Sequence, residues 1–310
     1  MATKDGFNNS SAIYSIKVAL SKINEQIATD ETSHIFSGIK AFDKLTSGWT
    51  PGELCIVGGR PSMGKTSLIL SCIAHNVIDK EIPIALFSAT DSFNENFLSK
   101  VVAILSDTPI ACGKEAKLET LRNTQLGNVP FYISLSPKLT LSRLRKQVEL
   151  LIKDKGVRCV FIETIQSIFA TEDNGNTKEG MERICHELNI MAKELNVPFI
   201  VSSDLNRGSE QREGMGKRPE ICDLRSSSAI ENEADSVYLL HRPAYYQIII
   251  DEYGNDLIDR IDIFVAKNKN GKTGTIPLRF DDVKGIVCDI EGSDEPSPTR
   301  SSLPPLIECF

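Results

Sequence analysis

Long apolar runs are absent from this chain. None of its 310 residues fall in an unbroken hydrophobic stretch of the roughly 18 that a membrane-crossing helix needs. The opening residues, MATKDGFNNSS, are polar and hold no apolar signal core, so export is not expected and a cytoplasmic setting is. Excess positive charge is missing too. Lysine and arginine number 35 against 42 acidic residues, a net charge of -7. That excludes coating of nucleic acid through a general positive field, but not a local basic track. No C-x-x-C pair occurs among Cys55, Cys72, Cys112, Cys159, Cys185, Cys222, Cys288 and Cys309, and several of them lie in apolar runs. They read as reduced, buried thiols rather than zinc ligands or a disulfide framework. Internal repeats are not found either.

What is present is ordinary in amount: 41% hydrophobic and 25% charged residues, enough for one large domain or two small ones. Residues 10–28 place Ile13, Ile16, Leu20, Ile23 and Ile27 at helical spacing. This narrow stripe can dock on the chain's own core or on a neighbour. A loop-rich approach follows, with turn signals at Ser37-Gly38, Ser47-Gly48 and Pro51-Gly52. Strands and helices then alternate. The pattern predicts strands at Leu54–Val57, Ile84–Phe87, Phe131–Ser134, Val157–Ile162 and Pro198–Ser202. It predicts helices at Lys65–Ile78, Phe93–Leu105, Lys114–Leu126, Leu141–Asp154 and Glu179–Leu195. Closing strands are expected at Ser236–Leu240, Ile261–Ala266 and Thr275–Phe280. The reading is an α/β fold: a mostly parallel sheet with helices on both faces. The expected organisation is a helix within residues 1–30, a main domain over 31–291, and a Pro/Ser-rich tail over 292–310 whose composition predicts disorder.

Between the first strand and its helix lies Gly59-Arg60-Pro61-Ser62-Met63-Gly64-Lys65-Thr66, followed by Ser67. This matches G-x-x-x-x-G-K-[ST], the phosphate loop. Glycines let the backbone turn tightly and aim its N–H groups inward. The helix behind points its positive end at the phosphates. Lys65 reaches the β/γ-phosphates, and the Thr66 hydroxyl ligates Mg²⁺. Nucleotide and Mg²⁺ are therefore expected. A second element of such sites is an apolar strand ending in an acid that holds the metal through water. Val160-Phe161-Ile162-Glu163 supplies it, although a merely solvated Glu163 at a strand end is the plainer alternative. Farther on, Asn206–Glu220 carries Arg207, Arg212, Lys217 and Arg218 among glycines, diluted by Glu210, Glu213 and Glu220. Read alone it is a solvated loop. With no interleaved aromatic, it offers phosphate contact at most.

The segments GIKAFDKLTSGWTPGEL, RPSMGKTS, AKELNVPFIVSSDLNR, KRPEICDLRSSSAIENEAD, HRPAYY and AKNKNGKTGTIPLRF resemble, in order and spacing, the C-terminal motor domain of DnaB-type replicative DNA helicases. The resemblance covers roughly residues 35–290 and implies a RecA-like P-loop NTPase core that moves on single-stranded DNA, driven by ATP, as a homo-hexamer or ring. It implies that the 10–28 helix is a linker that packs on the adjacent subunit. It also turns the 206–220 loop and Arg225 towards DNA. Lys267 matches the lysine that a neighbouring subunit points at the γ-phosphate; His241-Arg242 matches a stretch near the nucleotide. The family's N-terminal domain, which binds primase, is not in this sequence, so a truncation or a short relative is expected, with primase or a loader as further partners.

Against that pattern the chain departs at the chemistry. Thr90 stands where the family has the glutamate that activates water, with Asp91 next to it. Glu163 replaces the magnesium-strand aspartate, and Asp204 the glutamine that senses the γ-phosphate. Lys269 replaces the arginine finger, and Ser226 and Ser228 replace two pore-loop residues. Threonine is no base near neutral pH, and an ammonium lacks the planar fork of a guanidinium. Unless Asp91, Asp204 or Glu163 compensates, hydrolysis is expected to be slow. Two functions stay open: a DnaB-like ATPase motor, and a weakened nucleotide-binding scaffold or regulatory paralogue.

Overall fold

A computed structural model describes residues 34–88, 95–106, 128–136, 138–170, 177–212, 217–225 and 227–290. The expected helices at 10–28 and 114–126, Thr90, Asp91, Cys112, Cys309 and the 292–310 tail lie outside these residues. All described residues except His34 belong to one compact unit beginning at Ile35.

Apolar β-branched runs supply the strands of a single large sheet. They are β1 (Leu54–Gly59), β2 (Ile84–Ser88), β3 (Phe131–Leu135), β5 (Cys159–Glu163), β7 (Phe199–Asp204), β8 (Ser236–His241), β9 (Arg260–Asn268), β10 (Gly274–Asp281) and β11 (Ile286–Cys288). A two-residue pair, β4 (Leu139–Thr140) and β6 (Ile168–Phe169), stands apart. The large sheet runs β11-β10-β9-β8-β1-β7-β5-β2-β3. The stretch from β8 to β3 is parallel throughout, and β9 to β11 close one edge antiparallel.

The helices are α1 (Lys40–Thr46), α2 (Lys65–Ala74), α3 (Glu95–Leu105), α4 (Leu141–Lys155), α5 (Lys178–Leu195) and α6 (Ser227–Glu233). Successive side chains of a strand face opposite ways, so each strand feeds two cores. Leu54 and Ile56 join Phe87, Ile162 and Phe199 under α4 and α5. Cys55 and Val57 join Leu86, Phe161 and Ile200 with Leu68 and Ile73 of α2 and Ile104 of α3. The buried cysteines among the described residues, Cys55, Cys72, Cys159 and Cys185, are free thiols, and burial pushes each of them up in pKa.

Two expectations need correction. The predicted helix Lys65–Ile78 is α-helical only to Ala74 and continues as a π turn, His75–Asp79. There the Asn76 amide donates to both Phe36 O at 2.7 Å and Cys72 O at 2.8 Å. The approach to β1 is not all loop, since α1 lies within it. A seven-residue helix is too short to persist by propensity. Its support is tertiary: Phe42 is buried, and Asp289 caps its first turn from the far end of the sequence, accepting from Lys40 N at 2.8 Å and Ala41 N at 2.9 Å. Asp289→Ala is expected to lower unfolding stability by about 1 kcal/mol in urea titration, the usual loss for a helix cap.

Candidate functional site

The sheet delivers its chemistry at the carboxyl ends of its parallel strands. Chain leaving β1 at Gly59 turns through Arg60–Gly64 and enters α2. Gly64 takes φ +91°, a conformation that side chains rarely adopt. A Cβ there would also sit 3.1 Å from Phe280 Cε2. α2 has no side-chain cap, which leaves its N-terminal amides for a ligand. Within the loop, Met63 turns into the core and Arg60 turns away, donating to Leu205 O at 3.0 Å and pairing with Glu210 at 2.9 Å. Their contribution to the loop is therefore backbone.

Lys65 is 8% exposed. Its Nζ donates to Gly59 O at 2.6 Å and Arg60 O at 3.2 Å and lies 3.0 Å from Asp204 Oδ1. The Thr66 hydroxyl donates to Glu163 Oε1 at the end of β5. Glu163 Oε2 is buried and finds no partner among the described residues. Burial raises the Glu163 pKa most; the Thr66 bond, Lys65 and Lys100 pull it down, and Asp204 adds to the rise. An orphaned buried carboxylate oxygen beside a hydroxyl is a donor set that suits a hard, oxygen-seeking cation. Thr66 and Glu163 therefore fit Mg²⁺.

These residues open into a cleft of about 510 Å³. Arg242 and Phe280 line its other side. The guanidinium lies 3.8 Å over the Phe280 ring and 3.2 Å from both Asp282 oxygens. Among the described residues the cleft is lined by Lys65, Lys100 and Arg242 and by Glu163, Asp204 and Asp282, with Lys65 paired to Asp204 and Arg242 to Asp282. Sequence reasoning missed Lys100, Phe280 and Asp282. They come from α3, β10 and the turn after it, and only the fold brings them to the loop. The HRPAYY block was the one signal for Arg242.

A family model for the DnaB-like helicase C-terminal domain matches residues 34–285. The chain belongs to this family. The replicative DNA helicase DnaB of Leifsonia xyli subsp. xyli is 31% identical over 261 residues, covering 82% of this chain and 55% of that protein. The replicative DNA helicase DnaC of Bacillus subtilis is 32% identical over 285 residues, covering 88% and 61%. The chain thus spans little more than half the length of the relatives it matches. A solved DnaB-like replicative helicase, described with its interactions with primase, superposes at a TM-score of 0.74 and 25% identity, covering 92% of this chain and 69% of that one. A second solved structure, of an isolated ATPase domain, reaches 0.76 at 24% identity, covering 90% and 100%, which supports the fold.

The remaining site residues of this DnaB-like domain fall in other places. Lys267 and Lys269 sit at the opposite end of the sheet. Asn268 pairs with Ser236, which pairs with Cys55 near the start of β1. The four-residue rise from Cys55 along β1 puts that point roughly 13 Å from Gly59. Lys267 Nζ donates to Glu231 O at 2.6 Å, and Lys269 Nζ pairs with Asp235 at 2.8 Å, which raises its pKa. Neither belongs to this chain's own cleft. In the basic loop, Arg212 pairs with Glu220 at 2.9 Å and with Asp223. Lys217 lies 4.9 Å over Tyr246, and Arg218 lies 3.9 Å over Phe264 and bonds Thr275 at 3.1 Å. Arg207 and Arg225 are exposed.

Proposed function

We propose that this domain binds ATP with Mg²⁺ and works on single-stranded DNA as one member of a ring, with hydrolysis that is slow for a helicase motor. The observation that carries the reading is the phosphate loop: Lys65 at the start of α2, with Thr66 bonded to Glu163. Lys65 would hold the β- and γ-phosphates, the α2 amides would bind phosphate oxygens, and Thr66 and Glu163 would hold Mg²⁺. The Arg242–Phe280 stack offers a flat cationic surface to the base. The position of Lys267 and Lys269 supports a role towards the next subunit's cleft rather than their own. The residue 10–28 helix is the proposed ring contact. Primase or a loader remains the proposed partner class, as primase is for the solved relative.

The weakened reading gains from two contacts. Lys269, in the finger position, is tied to Asp235, and Asp204, in the sensor position, is tied to Lys65. The experiment is steady-state phosphate release with and without oligo-dT. DNA should raise a low basal rate; indifference to DNA would overturn the motor reading.

For DNA itself, internal contacts occupy Arg212, Lys217 and Arg218, which leaves Arg207 and Arg225 as the exposed cations. Two neutralised phosphates per subunit predict about a sevenfold fall in affinity between 50 and 200 mM salt for each subunit engaged. Fluorescence anisotropy on labelled oligo-dT checks this, and Arg225→Ala should flatten the dependence.

A further inference from the structure

Lys65 is not a free cation. Its ammonium lies 3.0 Å from Asp204 Oδ1, and Asp204 stands on a fixed piece of backbone. It is in register with Gly59 on the neighbouring strand. Its N–H donates to Gln166 Oε1 at 3.3 Å, and its carbonyl accepts from Arg225 N at 3.2 Å. The backbone of Asp204 is therefore held, and its carboxylate leaves Lys65 only by a rotamer change. A phosphate oxygen bonded to Lys65 Nζ at about 3 Å comes within about 6 Å of Asp204 Oδ1. At that distance, in a partly enclosed cleft, like charges still repel appreciably. The neutral amide of an asparagine at this position would keep the shape and remove the charge.

We propose that Asp204 sets the nucleotide preference of this site, holding down affinity for the triphosphate relative to the diphosphate. The proposal rests on the phosphate-loop reading given above. Both nucleotides bring a β-phosphate to the loop. Only the triphosphate brings a further anionic group to the same ammonium, so the carboxylate penalises it more. The site then binds ADP at least as tightly as ATP.

Isothermal titration calorimetry with ADP and AMP-PNP, in Mg²⁺, on wild type, Asp204→Asn and Lys65→Ala tests this. Wild type should bind AMP-PNP no more tightly than ADP. Asp204→Asn should tighten AMP-PNP by about tenfold and ADP by about threefold or less, on the charge argument. A wild type that prefers AMP-PNP by tenfold overturns the proposal even if the variant fails to fold. So does an Asp204→Asn protein whose two affinities move together or not at all. Failure of the phosphate-loop reading looks different: wild type binds neither nucleotide, or Lys65→Ala binds both as wild type does.

Discussion

Lys65→Ala is expected to weaken binding of ADP and ATP by about 100-fold, the loss of charge-assisted hydrogen bonds to phosphate together with what they had neutralised. The loss is large because of what remains. Asp204 and Glu163 both line the cleft, and Lys65 is the ion-pair partner of Asp204. Removing it leaves Glu163, Asp204 and Asp282 opposing the incoming phosphates, with Lys100 and Arg242 to offset them. Truncation of a merely solvated lysine would cost far less. Calorimetry on the purified domain reads the effect directly, and circular dichroism confirms that the fold survives. The ammonium's bonds to Gly59 O and Arg60 O also shape the loop, so some of the loss will come from loop order. Lys65→Met keeps most of the stem but no donor, so it separates the stem's packing from the ammonium: an affinity close to that of Lys65→Ala assigns the loss to the ammonium, through phosphate and loop together.

The sheet was legible because its strands are short apolar runs between helical periods, and the parallel order β8-β1-β7-β5-β2-β3 needs that alternation. Strand ends were placed within a residue or two. What the pattern missed depends on distant chain. α1 carries no strong period of its own and forms on Phe42 and the Asp289 cap. β11 is three residues long, shorter than any periodicity can show.

The phosphate loop could be read in full because its chemistry is local: turn, lysine, hydroxyl and helix start are consecutive. The rest of the cleft is assembled from strand ends far apart in sequence. Glu163 was legible as a strand-end acid, while Phe280 looked like one more core residue of β10. In the basic loop the sequence shows the charges but not their partners. Arg212, Lys217 and Arg218 are taken up by Asp223, Tyr246, Phe264 and their neighbours, contacts that no spacing rule reveals.

Thr90→Glu should raise the rate of phosphate release at saturating ATP by about 100-fold, the lower range of what a positioned general base contributes. Ser88, the last residue of β2, is the register partner of Glu163, so β2 ends at the cleft. A threonine hydroxyl cannot take a proton from water near neutral pH, whereas a carboxylate can. The added charge should at the same time weaken triphosphate binding, as proposed for Asp204. The comparison must therefore be made at saturation, with turnover and half-saturation measured separately. Gain in turnover with loss in affinity is the expected pair. If turnover is unchanged while affinity falls, the new carboxylate has reached the phosphates without activating water, and the missing base is not what slows the site. The proposed contact of Lys269 with a neighbouring subunit would then be the limiting step. There Lys269 must leave Asp235 to act on a neighbour, and Lys269→Arg would be the variant to restore the rate.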